Sequence, residues 1–130
     1  MIYGVGCDVV ELERVARVMQ EREAQFVARI LTEKERQTYS ARNALSRARG
    51  LAFVASRWAA KEAISKALGT GIRGDVSFQA IEIGHMVSGA PVVSFHSPLK
   101  ERLAEQGIVM HVSLTDEKSV VAAFAVAEKF

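Results

Sequence analysis

With a single cysteine, Cys7, the chain has no internal disulfide to form, and a reducing, cytoplasmic setting is expected. No apolar run approaches the roughly 20 residues that a membrane-spanning helix needs, so no membrane partner is expected. No basic segment followed by an apolar one opens the chain, so no signal peptide is expected either. Repeats, linkers and low-complexity stretches are missing, and 130 residues suit one domain with a proper core. Gly4-Val5-Gly6-Cys7-Asp8 lacks the third glycine of a dinucleotide-binding fingerprint. His111 has no second His or Cys at zinc-ligand spacing, and Ser113 has no nucleophile-elbow context. Few aromatics are interleaved with the basic residues, only Tyr39 and Trp58 standing near them, so nucleic acid is not the expected ligand.

Acid is missing too, over one long stretch. Between Arg36 and Lys61 there is no Asp or Glu, while Arg42, Arg47, Arg49 and Arg57 fall there. The net charge of +2 hides this asymmetry: residues 1–66 carry 12 Lys/Arg against 8 Asp/Glu, and residues 67–130 carry 5 against 7. Scattered charge commonly means a solvated face. A one-signed stretch of this length, dominated by the planar fork of arginine, favours an anionic ligand or partner.

What is present is organised around Arg57–Ile72. At helical spacing Ala55, Ala59, Ala63 and Ala67 form a ridge of small residues that lets a backbone or ligand come close. Trp58, Glu62 and Lys66 form a row on its flank, and Gly69 stops the helix before the turn at Thr70-Gly71. Ile2–Val10 reads as a strand, with glycines at 4 and 6 for close backbone approach. A helix from Glu11 to about Glu23 and its continuation over Phe26–Leu31 follow, then a capping box at Thr32-Glu33-Lys34-Glu35 that opens another helix. Ser40–Ser46 reads as a loop or helix start, and a long helix is expected from about Leu45 to Leu68. Strands are expected at Phe78–Ile83, Pro91–His96, Ile108–Leu114 and Ser119–Val126, with a short helix over Pro98–Gln106. The expected fold is α+β, one domain (1–130) with an antiparallel sheet packed on a long central helix.

Asp8 is the odd residue of its strand, an acid among valines. It is either an N-cap for the following helix or a carboxylate that a partner or metal must satisfy. If the strand lies beside the long helix, one hard cation satisfies both Asp8 and Glu62, since Mg²⁺ takes one or two protein carboxylates and completes its shell with water and phosphate oxygens. Lys66 is then placed to meet a phosphate, and the N–H groups of Gly69, Thr70 and Gly71 can face the same anion. The alternative is a core helix with a surface Glu–Lys pair. Cys7 is expected to be a small core side chain.

G-V-G-C-D-V-V-E-L-E-R-V and R-W-A-A-K-E-A-I-S-K-A-L-G-T-G-I together resemble the two signatures of bacterial holo-acyl-carrier-protein synthases, short 4′-phosphopantetheinyl transferases. I-L-T-E-K-E, V-S-F-Q-A-I-E-I and H-V-S-L-T-D-E agree in the same order, so the resemblance covers essentially the whole chain. It implies transfer of phosphopantetheine from coenzyme A to a serine of apo acyl carrier protein, with release of 3′,5′-ADP. Asp8 and Glu62 match the family's magnesium ligands, and Lys66 the lysine that meets the pyrophosphate. Arg57, Gly69, Thr70, Gly71 and His111 fall on positions that bind the coenzyme's phosphates and adenosine. Arg14 and its helix, with Arg17 and Arg22, match the face that docks the carrier's acidic helix. A homotrimer with sites between subunits is implied as well. The serine proton would go to Glu62 or to a water on the metal, and the residues leave both open. Cys7, Trp58 and Ala90-Pro91 depart mildly from the family's usual residues. A carrier- or nucleotide-binding module without turnover is the competing reading; it predicts loss of Asp8, Glu62 or Lys66, and all three are present.

Overall fold

The apolar alternation at the start of the chain forms strand β1 (Ile2–Glu11), seen here in a computed structural model that describes residues 1–130. Helix α1 (Leu12–Ile30) follows and breaks at Arg22, whose φ of −141° and ψ of 49° are non-helical, so the two expected segments meet at a kink. Glu11 stands at its N-cap without a side-chain cap, which removes the capping role for Asp8. The expected capping box forms: Thr32 Oγ1 accepts from the Glu35 N–H, Glu35 Oε1 accepts from the Thr32 N–H, and α2 (Glu33–Leu45) begins. Ser40–Leu45 is helical rather than a loop. The break comes at Ser46, which ends α2 and accepts the Arg49 N–H to start α3 (Arg47–Ala67).

The second half carries β2 (Ile81–His85), β3 (Pro91–Phe95), α4 (Leu99–Gln106), β4 (Ile108–Asp116) and β5 (Val120–Lys129). The first of these starts later than Phe78, because the Ala80 N–H donates to the Ser77 carbonyl and hydroxyl and curls residues 77–80 into a turn. Gly107, at φ 69°, ends α4 in the left-handed conformation expected of a C-cap glycine.

The strands make two antiparallel sheets rather than one, β1-β5-β4 and β2-β3. Ala55, Ala59, Ala63 and Ala67 are buried on α3, and Ala123, Ala125 and Ala127 line the facing side of β5. Beside them β1 lies so close that a methyl group at Gly4 or Gly6 would overlap the carbonyl oxygen of Ala67 or Ala63. Both glycines are therefore required by proximity, not by φ. The 28 buried apolar residues form one cluster around α3.

Candidate active site

The glycine crossing has a register: Gly4 lies on Ala67 and Gly6 on Ala63, so β1 climbs α3 about one helical turn for every two strand residues. Continuing that progression carries Asp8 to the turn that holds Ala59 and Glu62. Because strand side chains alternate, the residues that face α3 are Gly4, Gly6, Asp8 and Val10, while Cys7 points out and is exposed. The core position expected for Cys7 is thus taken by its neighbours. Lys66 closes the contact, donating from Nζ to the Cys7 carbonyl at 2.9 Å and to Asp8 Oδ1 at 3.2 Å. Asp8 is largely buried, its side chain 20 % exposed, and Lys66 is half exposed. Glu62 is half-buried one turn before Lys66, and its carboxylate pairs with no other side chain. Two separated signatures so meet at one strand–helix crossing, where a half-exposed lysine pairs with a largely buried carboxylate and an unpaired one precedes it by a turn.

Gly69, Thr70 and Gly71 follow directly, with φ of 81° at Gly69 and 68° at Gly71. Their N–H groups do not face a ligand as expected. Gly69 donates to the Lys66 carbonyl, and Thr70 and Gly71 both donate to that of Ser65. A helix C-terminus presents orphan carbonyls, and the turn's amides satisfy them. The open side of the turn remains accessible, with no atom within 4 Å of a Cβ built at either glycine.

Arg57 lies elsewhere. It lies nine positions before Lys66, which at about 3.6 residues per turn places the two on opposite sides of α3 and about 13 Å apart along it. It is 6 % exposed and borders a cleft of about 570 Å³ together with Arg42, Arg49, His85 and Asp116. Its Nη1 donates to Ser56 Oγ at 3.1 Å and its Nη2 to the Ile83 carbonyl at 3.3 Å, with the Phe53 ring centroid 4.1 Å from Cζ. The Nε atom has no partner. Burial pulls its pKa down to about 10, so it stays charged at neutral pH but is underpaired. The acid-free stretch thus divides. Arg42, Arg49 and Arg57 reach the cleft, Arg47 pairs with Glu23, and Lys61 is fully buried against Glu35. That buried pair gives no sign in the sequence beyond Glu35's place in the capping box.

His111 is on the outward face of β4, exposed, with Nε2 3.0 Å from Glu128 Oε1. Asp8 faces inward, so one chain does not bring the two together. The basic face of α1 is as expected: Arg14, Arg17 and Arg22 are exposed. Arg14 lies over the Trp58 ring at 5.3 Å, and Arg17 is 3.3 Å from Glu13.

Residues 4–125 match the family model of the 4'-phosphopantetheinyl transferase superfamily. The chain belongs to that superfamily. It is 45 % identical over 129 residues to a holo-[acyl-carrier-protein] synthase of Cupriavidus pinatubonensis, covering 99 % of this chain and 92 % of that one. Among solved structures it is similar to the holo-[acyl-carrier-protein] synthase of Neisseria meningitidis, with TM-score 0.90, 43 % identity and coverage of 99 % and 100 % of the two chains. The Bacillus anthracis synthase in complex with CoA (3',5'-ADP) has TM-score 0.84 at 36 % identity, over 100 % of this chain and 99 % of that one.

Proposed function

We propose that the protein transfers the 4′-phosphopantetheine group of coenzyme A to a serine of apo acyl carrier protein, giving the holo form used in fatty acid biosynthesis and releasing 3′,5′-ADP. The observation that carries this reading is the meeting of Asp8 and Lys66 at the β1–α3 crossing in a chain of this superfamily. In the reaction the serine oxygen forms a bond to the β-phosphorus, and the bond from that phosphorus to the bridging oxygen breaks. The bridging oxygen leaves with 3′,5′-ADP. Lys66 neutralises charge on the pyrophosphate as it shifts to the leaving group. Glu62, with no protein partner for its carboxylate, is free to orient the serine hydroxyl and take its proton.

The donor set suits a magnesium ion: Asp8 at the crossing and the unpartnered Glu62 are hard carboxylates, of the kind a cation that keeps water and phosphate ligands takes in ones and twos. Asp8 and Glu62 would hold it, and when bound it supplies Lewis-acid neutralisation of the pyrophosphate. The whole chain, 1–130, would act as one catalytic domain. The side of Gly69, Thr70 and Gly71 left open would lie along the phosphates, and Arg57 and His111 would bind the nucleotide end.

Arg57 and Lys66 face opposite ways on one helix, and His111 lies on the far face of the sheet, so one small ligand meets all three only where copies of the chain adjoin. A suitable surface exists. Val5, Val9 and Phe124 are 56 %, 60 % and 48 % exposed on the outer face of β1 and β5, an apolar patch suited to another copy. A homotrimer with sites between subunits accords with this. Arg14, Arg17 and Arg22 would dock the acidic carrier protein. No helix is long and apolar enough to cross a membrane, and the lone cysteine agrees with work in the cytoplasm.

The deciding experiment is mass spectrometry of apo acyl carrier protein incubated with the protein, coenzyme A and Mg²⁺, with and without chelator. A chelator-sensitive gain of one phosphopantetheine on the serine is expected. A protein that binds coenzyme A yet leaves the carrier mass unchanged would instead be a binding module.

A further inference from the structure

Lys61 and Glu35 are both buried, and neither has a part in the chemistry above. Lys61 Nζ donates to Glu35 Oε1 at 2.6 Å and to the carbonyls of Ile30 and Phe78 at 2.7 and 2.9 Å, so all three of its hydrogens are engaged. Glu35 Oε1 also accepts the Thr32 N–H, and its Oε2 accepts the Ile83 N–H at 2.7 Å. The carbonyl of the same Ile83 accepts from Arg57 Nη2. In an antiparallel strand the N–H and C=O of one residue point to the same edge. Here that edge of β2 has no further strand, and at Ile83 its two polar groups are met by one carboxylate and one guanidinium.

The consequence concerns the cleft. Arg57, Gly84 and His85 all border it, so its width depends on how β2 sits against α3. Glu35 fixes that spacing from behind, through the Ile83 peptide. Without it Ile83 would present an unmet N–H, and the strand would shift to find a partner. The Arg57 guanidinium would move with the carbonyl it holds. A second observation agrees: Arg57 Nε is buried without a partner, so the position of the guanidinium rests on its bonds to Ser56 and to the Ile83 carbonyl.

The geometry points to Glu35 as a positioning residue for Arg57, with Lys61 as its buried counterion, setting where the guanidinium meets a phosphate of coenzyme A. This rests on the proposal that the cleft takes the nucleotide end of the coenzyme. The test is the double variant Glu35→Leu/Lys61→Met, which removes both charges and the Ile83 contact while nearly keeping volume, an exchange that buried pairs often tolerate. Folding is checked by thermal melting. KM for coenzyme A is expected to rise about tenfold or more, the loss of a well-placed charged hydrogen bond, with KM for the carrier changed by less than about twofold. In an Arg57→Ala background the double change should add almost nothing, a non-additivity that a purely structural staple would not show. If the double variant does not fold, isosteric Glu35→Gln is read in the same way. A folded variant with unchanged KM for coenzyme A, beside an Arg57→Ala protein whose KM rises, overturns the positioning role alone. An Arg57→Ala protein with unchanged KM overturns the placement of the coenzyme and this role with it.

Discussion

Glu62 is distinguished by what it does not touch. It sits half-buried one turn before Lys66, which pairs with Asp8, and its own carboxylate has no protein partner. A group held for structure would be paired, since an unmatched charge at this depth opposes folding. Glu62→Gln therefore removes no folded-state bond, and its melting midpoint should equal or exceed that of the parent. Transfer should fall by about 100-fold or more, through lost proton transfer and lost charge beside the pyrophosphate. Rapid-quench measurement of 3′,5′-ADP release checks this, and near-normal turnover would exclude Glu62 as an essential group. Arg14 makes the opposite case, being exposed and tied only to the face of Trp58. Arg14→Glu places a negative charge where, under the proposed docking, an acidic partner would approach. KM for the carrier should rise about tenfold or more while KM for coenzyme A stays within twofold, and added salt should shrink the difference. Equal rises in both would remove the docking assignment.

Among the elements, α3 and β1 carry the most information and were the most legible. The alanine row, the two glycines and the C-terminal Gly69 each leave a mark at fixed spacing, so the helix, its stop and its close partner could all be read from the residues. Cys7 is exposed although cysteine is by type a core residue, because strand alternation gives the inward places to Gly6 and Asp8. The division into two sheets was not legible. It depends on Glu35 and Arg57 occupying the edge of β2, contacts made across 48 and 26 residues of chain. Lys61-Glu62 reads as an ordinary charged dipeptide, and nothing local tells that one member is sealed in the core. The amides of Gly69–Gly71 are engaged within the chain for a local reason, since the helix end claims them first. The strand–helix crossing makes its own prediction. Gly6→Ala would drive a methyl into the Ala63 carbonyl and to within 2.8 Å of the Ala67 nitrogen, where only backbone can give way. Denaturant unfolding should show a loss of at least about 3 kcal/mol, with transfer lost in whatever folds because Asp8 leaves Lys66.

At the scale of the molecule, the arrangement of α3 matters most. With Arg57 and Lys66 on opposite sides of one helix, a complete site under the proposed assembly draws Arg57 from one copy and Lys66 from the next. Arg57→Ala and Lys66→Ala proteins should each be nearly inactive alone. Unfolded together and refolded as a mixture, they should regain a fraction of parental activity, because some neighbours would pair an intact Arg57 with an intact Lys66. A mixture no more active than its parts would mean that each chain builds its site alone. The outer face of β1 and β5, with its exposed valines and Phe124, is where such neighbours would meet.

The Glu35 carboxylate joins events that are distant in time as well as in sequence. Its partners lie 3, 26 and 48 residues away, at Thr32, Lys61 and Ile83. The nearest contact closes within a single turn and is available as soon as α2 nucleates, whereas the others wait for α3 and β2 to dock. Removal of the side chain by Glu35→Ala should therefore bend both limbs of a chevron plot: slower refolding through the lost cap, and faster unfolding through the stranded lysine. A fractional φ-value would record a single carboxylate that helps to begin the fold and later locks it.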